Sequence, residues 1–366
     1  MVAHLLDDVG RIIAVDKSGM LNFCKNSSMH YHKAAEIAAK ITVNYPKPDN
    51  IIVAGMGGSA IGGDLLKDWA KNKLIVPLEI NREYHLPSYV GKKTLALITS
   101  YSGDTEEALS SFVDALKHKC MIYCISSGGD LLKYAEKLKV PYLRVPGNMP
   151  PRAALPYMLI PLLVFMEKAG LAKGVSAELN ETLELLEKIS KENSPEKPAK
   201  ENFAKTLTLN IGRTVPVVYG FGIYRGVAQR FKQQFNENSK VPAKWEFFPE
   251  LNHNEVVGWE QSDDFGKCFS IIFIRDKDEP VEIKSRIETT KQILKEAGLK
   301  MFDIQAQGKS ALAKMLSTVI VGDFTSIYLA VQHGVDPTPV KTINYLKDKL
   351  KENGIKEKII GELEKL

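Results

Sequence analysis

Two alternating patterns of apolar residues run along this chain. Short continuous apolar runs, IIVAG (51–55), which breaks at its glycine, TLALIT (94–99), CMIYCIS (120–126) and YLRVP (142–146), have the length and the β-branched content of strands, and LEINREY (78–84) reads the same way. Between them lie stretches with apolar positions every three or four residues: GMGGSAIGGDLLKDWA, EEALSSFVDALKH (106–118) and DLLKYAEKL (130–138). KAAEIAAKITVN (33–44), which ends in the turn signal YPKPDN, has the same helical spacing. Strands separated by helices of this length predict parallel βαβ units, whose ligands gather beyond the carboxyl ends of the strands.

The second half repeats the pattern. AALPYMLIPLLVFM (153–166) reads as a buried helix, too short to span a membrane and holding two prolines. SAELNETLELLEKISKEN reads as an amphipathic, exposed helix, and SPEKPAKEN (194–202) has the proline and charge of a linker. VPVVYGFGIYRGVAQRFKQQF (215–235) then aligns loosely with VAGMGGSAIGGDLL as strand, G-x-G, helix. CFSIIFIRD (268–276), TKQILKEAG (290–298), MFDIQAQ (301–307) and a long helix near 309–333 follow. The economical reading is an α/β protein of two tandem domains, each a mostly parallel sheet flanked by helices. Its expected boundaries are 1–152, a helical connection and linker at 153–202, and 203–366 with a C-terminal helix.

Composition narrows the class without naming a function. The chain has 366 residues, enough for two cores, with 44% hydrophobic and 25% charged residues, as in ordinary soluble proteins. Its net charge of +5 is dispersed among acidic neighbours, so neither nucleic acid nor membrane is the expected partner; a small anion suits it better. Cys24, Cys120, Cys124 and Cys268 form no C-x-x-C framework and read as small core residues rather than a metal or redox site. With no leader-like segment at the N-terminus, the cytoplasm is the expected compartment.

Chemistry concentrates at two strand-to-helix corners. Gly55, Gly57 and Gly58 let the backbone turn sharply, and a helix starting near Ser59 would aim its free N–H groups and positive dipole end at an anion. A dinucleotide site is the competitor, but Ala60 stands where G-x-G-x-x-G needs glycine, and Glu79 is a poorly placed ribose acid. The second corner, SYSGDTEEAL (100–109), carries Ser100, Ser102 and Thr105. Asp104 and Glu107 have capping-box spacing, which accounts for one or two of these polar residues but not for three hydroxyls around a glycine. Phosphate fits, provided that Asp104, Glu106 and Glu107 point away from it.

Taken together, the corners resemble the sugar isomerase (SIS) family, whose phosphosugar sites use an S-x-S-G-x-T loop. GMGGSAIGGD (55–64) and SYSGDTEE (100–107) mark the family. PRAALPY (151–157), FNENSKVPA (235–243), PELNHNEVVGW (249–259) and DPTPVKTINYLK (336–347) resemble its bifunctional phosphoglucose/phosphomannose isomerases. The resemblance implies SIS-type domains that bind hexose 6-phosphates, with phosphate held by Ser59, Ser100, Ser102 and Thr105 beside the Gly57–Gly58 loop. It implies Glu237 as catalytic base, His253 as ring-opening acid/base, Arg152 as an active-site cation and Lys347 as a C-terminal active-site lysine, or Lys349 if the register differs. It also implies a homodimer with shared active sites, the histidine reaching its neighbour's site, working in glycolysis and gluconeogenesis.

These residue types suit aldose–ketose isomerisation, which moves a proton between C2 and C1 through an enediol(ate) and requires neither metal nor nicotinamide. Blander readings exist for each. Glu237 follows an amphipathic helix and is otherwise a solvated glutamate; His253 sits in an Asn- and Pro-rich loop; Arg152 suits a surface ion pair. Lys347 shares a helical face with Val340 and Ile343, where a lysine can snorkel. Thr338 reads as a helix N-cap before Pro339. A protein that only senses phosphosugars would keep Ser100, Ser102 and Thr105 but would not need Glu237, His253 or Lys347.

Overall fold

The computed structural model describes residues 5–366. The chain forms two compact units: Met29–Ser176 with Val340–Leu366, and the residues up to Ser28 with Ala177–Pro339. The first holds a five-stranded sheet and the second a four-stranded one.

In the five-stranded unit, strands β1 (Asn50–Ala54), β2 (Leu78–Asn81), β3 (Thr94–Thr99), β4 (Met121–Ser126) and β5 (Tyr142–Arg144) lie in the order β2-β1-β3-β4-β5, all parallel. Every residue of β3 and β4 is buried, as are Ile51–Ala54 of β1. Helices cover both faces, so these strands appear in the sequence as unbroken apolar runs rather than alternations. Helices α1 (Gly57–Ala70), α2 (Glu106–Lys117), α3 (Gly129–Lys137) and α4 (Leu155–Lys168) flank the sheet. At Gly62 of α1 an added Cβ would lie 2.6 Å from the Met158 carbonyl oxygen of α4, so glycine permits that helix contact. The core of Ile52, Ile98, Leu109, Phe112 and Tyr134 is completed by Ile359 and Leu363 from the helix Ile355–Lys365. The strand order reverses between β1 and β3, which opens a crevice at their carboxyl ends.

The four-stranded unit repeats this plan. Strands β6 (Val215–Phe221), β7 (Lys244–Phe248), β8 (Phe269–Arg275) and β9 (Lys300–Gln305) are parallel in the order β7-β6-β8-β9, with the reversal between β6 and β8. Helix α5 (Arg225–Gln234) follows β6. Helix α6 (Ala311–Gln332) is long and apolar enough to cross a membrane by length and composition, yet it is the buried core helix of the unit. Close contact between α5 and α6 is made at Gly322, where a Cβ would meet the Phe231 ring.

The division of the chain differs from the expected 1–152 and 203–366. The C-terminal segment belongs with the first sheet and the N-terminal segment with the second. Residues 194–202 are not a linker: Ser194, Ala199 and Asn202 are buried inside the four-stranded unit. The segment's carbonyls are satisfied there by the buried Lys205, whose Nζ donates to Pro195 O (2.8 Å) and Lys197 O (2.6 Å), and by Asn202 Nδ2, which donates to Ser194 O. The helix expected over 33–44 ends at Ala38, where the β-branched Ile41-Thr42-Val43 follows, and the one expected over 290–298 starts earlier, at Val281. The helix Val175–Glu192 buries Val175, Thr182, Leu186 and Ile189, so it is not merely a surface helix. Thr338 is not an N-cap: the helix begins at Lys341 after Val340, and the Thr338 N–H donates to Asp336 Oδ1 instead.

Candidate functional site

The glycine corner and the hydroxyl corner meet at the crevice between β1 and β3. Helix α1 starts at Gly57, two residues earlier than expected, and Gly57 takes a positive φ of 48° that favours glycine. Gly58 passes so close to Pro151 and Arg152 that an added Cβ would lie 2.8 Å from Pro151 O and 3.3 Å from Arg152 N. The 3-10 turn Pro151–Ala154, with Arg152 almost fully buried, is thereby brought to the start of α1. Ser59 Oγ accepts from the Tyr101 N–H (2.9 Å) and ties the two corners together.

Within the loop, Ser100 Oγ accepts from the Gly103 N–H and donates to Thr105 Oγ1, both at 3.1 Å. Thr105, which precedes α2 as its N-cap residue but makes no side-chain cap, therefore has its hydroxyl proton to give. Ser102 is exposed, and its Oγ accepts from the Asp104 N–H. The loop rests backbone to backbone on the neighbouring turn: a Cβ at Gly103, where φ is 79°, would overlap the Gly128 carbonyl. The result is a rigid rim of hydroxyls beside the first-turn N–H groups of α2, which is anion-binding geometry.

Two acidic residues of the loop, Asp104 and Glu106, are committed elsewhere. Asp104 is not the cap of α2; its Oδ1 accepts from Lys356 Nζ (2.8 Å) and from the Asp130 N–H (3.3 Å). Burial works to raise its carboxyl, but Lys356 and the Asp130 N–H more than offset this and hold it below the ordinary value. Glu106 Oε2 accepts from the Tyr84 hydroxyl.

Glu237 and His253 belong to the four-stranded unit. Helix α5 runs into a π turn, Phe235–Ser239, on which Glu237 is half-buried. π turns recur at functional positions because the extra residue re-aims a side chain. This one is anchored on both sides of Glu237: Gln234 Nε2 donates to Asp323, Asn238 Nδ2 to Ser326 Oγ, and Ser239 Oγ to Ser326 O. Lys240 Nζ donates to the carbonyls of Glu237 and Pro337, both at 2.7 Å. His253 is exposed at the end of the turn Glu250–His253. Its asparagine neighbours serve the local fold: Asn252 donates to Thr290, and Asn254 donates to Glu250 and accepts from the Glu255 N–H.

Lys347 lies in the helix Lys341–Lys351 of the five-stranded unit, which buries none of its residues, so it does not snorkel from a covered stripe. Lys347 has no ion pair or hydrogen bond among the described residues, whereas Lys349 pairs with Glu352 at 2.7 Å.

Sequence reasoning missed Lys356, and it also missed what fills the second crevice. Beyond β8, where the hydroxyl loop stands in the other unit, the Tyr224 hydroxyl donates to Asp276 (2.5 Å) and Lys314 Nζ bridges Asp276 (3.0 Å) and Asp278 (2.7 Å). Burial first, then Asp276, pushes the Tyr224 hydroxyl up. Burial opposes the charge on Lys314, but the two carboxylates hold its ammonium above its ordinary range. Among the described residues, no three His, Cys, Asp or Glu side chains group as a metal would require. The four cysteines are free, and burial pushes the Cys120 thiol up to about 11.

Known proteins are similar to this one in sequence along most of the chain. A bifunctional phosphoglucose/phosphomannose isomerase of Caldicellulosiruptor bescii is 41% identical over 323 residues, 87% of this chain and 95% of that protein. The chain belongs to that family. A second member, from Aquifex aeolicus, is 34% identical over 83% of this chain and 91% of its own length. The model of the bacterial phospho-glucose isomerase C-terminal SIS domain matches residues 200–350. In fold, the chain is similar to the crystal structure of a hypothetical protein from Thermus thermophilus, with a TM-score of 0.73, 16% identity, and 95% of this chain and 94% of that one covered. The two parallel sheets flanked by helices are thus the SIS fold expected from the sequence.

Proposed function

We propose that the protein interconverts glucose 6-phosphate and mannose 6-phosphate with fructose 6-phosphate. The observation that carries this reading is the 41% identity with a bifunctional isomerase across nearly the whole chain. The hydroxyl rim of Ser100, Ser102 and Thr105 supports it further. In this reading those hydroxyls and the α2 amides grip the phosphate, and Ser59 and the Gly57–Gly58 turn hold the rim in place.

The reaction then needs a ring-opening step and a proton shuttle. His253 gives a proton to the ring oxygen. The Glu237 carboxylate takes the C2 proton and returns it to C1 of the enediolate. Arg152 and Lys347 supply positive charge as the oxygens become negative. Both aldoses differ only at C2 and give one enediol, so rotation about C2–C3 lets a single base serve both. The exposure of His253 suits a homodimer in which it serves the neighbouring site, and the cytoplasm is the proposed location.

One coupled assay tests the reading. Each aldose phosphate is supplied alone, and fructose 6-phosphate is measured. Both are expected to yield product. Product from neither would exclude an isomerase in favour of a phosphosugar sensor, and product from glucose 6-phosphate alone would exclude the second activity.

A further inference from the structure

The C-terminal segment of the five-stranded unit touches the loop assigned above to phosphate. The helix Ile355–Lys365 is seated by Leu363, which is fully buried, and Ile359, which is nearly so, in the core with Phe112 and Ala115. Two further bonds fix its position: Lys117 Nζ to Glu362 (2.5 Å), and the Tyr134 hydroxyl to Glu364 (3.3 Å). This seating brings the first turn of the helix over the SYSGDT loop. There Lys356 Nζ lies 2.8 Å from Asp104 Oδ1 and 2.8 Å from Asp130 Oδ2.

Asp104 stands between Ser102 and Thr105, and its own N–H donates to Ser102 Oγ. Asp130 lies in the first turn of α3, directly after Gly128 and Gly129, on which the loop rests. Two carboxylates so close to an anion cradle would repel the ligand and, if released, would swing toward the cradle's N–H and O–H donors. A single ammonium shared between them offsets one of the two charges and holds both carboxylates away from the donors. Lys356 is three-quarters buried in this contact, so solvent screens it only partly.

We propose that Lys356 is a positioning residue for phosphosugar binding, clasping Asp104 and Asp130 so that the hydroxyl loop presents its donors to the phosphate with one carboxylate charge offset and both carboxylates held aside. The proposal rests on the phosphate reading of that loop. It concerns affinity, because Lys356 touches carboxylates and not the reacting carbons.

The test compares the full-length protein with Lys356→Gln, Lys356→Arg and the double variant Asp104→Asn/Lys356→Gln. For each, KM and kcat for glucose 6-phosphate are measured, together with the Kd for inorganic phosphate by calorimetry. Lys356→Gln is expected to raise both KM and the phosphate Kd roughly three- to tenfold, the scale of one or two partly screened charges, with kcat within about twofold. Lys356→Arg should stay near the parent, and adding Asp104→Asn should restore most of the affinity lost in Lys356→Gln. Unchanged phosphate affinity in Lys356→Gln would overturn the proposal. So would a loss that Asp104→Asn does not relieve, since the helix would then act only as packing. A parent protein that binds phosphate with the expected Lys356 dependence but turns over no hexose phosphate would sink the isomerase reading and leave this one standing.

Discussion

Gly58 shows how a single missing side chain sets the geometry of the cradle. Its backbone abuts Pro151, so Gly58→Ala must push α1 and the Pro151–Ala154 turn apart. A loss of about 1–3 kcal/mol is expected, read from the urea midpoint, as for other overpacked sites. The displacement would reach Arg152, so KM should rise as well. Gly57 differs: nothing lies within 4 Å of its added Cβ, and only its positive φ resists substitution. Glu237→Gln keeps the shape of the side chain and removes the base. It is expected to lower kcat by about 100-fold or more while phosphosugar Kd changes little, measured by turnover and by equilibrium binding. The hydroxyl rim was legible in the sequence because its chemistry sits in six consecutive residues. Which of those hydroxyls still has a proton to give was not. That depends on bonds such as Ser100 to Thr105 and Ser59 to Tyr101, which only the folded corner creates.

Among the elements, the helix Ile355–Lys365 has a defined response to acid. Asp104 is held below its ordinary 3.8, with burial opposing and Lys356 dominating, and Glu362 is held below 4.5 first by its bond to Lys117. Lowered carboxyl values mean that their contribution is complete above 4.5 and is lost as pH falls through the lower folded values. Lys356 is held above 10.5 by Asp104 and Asp130 against the effect of burial, so its share is complete below 10.5 and is lost only at higher pH. Hydrogen exchange of residues 355–365, corrected for intrinsic rates, should therefore be level across the neutral range and rise below about pH 4. The central strands were legible because burial on both faces leaves a continuous apolar run. The π turn was not: five residues of FNENS carry no periodicity of their own, and their shape comes from Asp323 and Ser326 on α6, almost ninety residues away. The clasp was equally hidden, since Lys356 and Asp104 are 252 positions apart.

In the whole molecule, the two units share one plan but not one chemistry. Each reverses its strand order at the second corner, yet one crevice carries hydroxyls and the other is filled by Tyr224, Asp276 and Lys314. The repeat was visible as strand, G-x-G, helix, whereas the allocation of the chain to the units was not. Residues 194–202 look like a linker by composition, but their burial and the bonds of their carbonyls to the buried ammonium of Lys205 make them part of a core. The terminal segments are assigned by long-range burial such as that of Leu363, which local patterns do not register. This allocation has a consequence for synthesis on the ribosome. A nascent chain emerges amino end first, and residues 5–28 must wait for segment 177–339 before they have a unit to join. Meanwhile, the five-stranded sheet is made in one uninterrupted stretch and can form early. Its hydroxyl loop, however, stays unclasped, with Asp104 and Asp130 uncompensated, until the whole of the other unit has been translated and Lys356 emerges behind it.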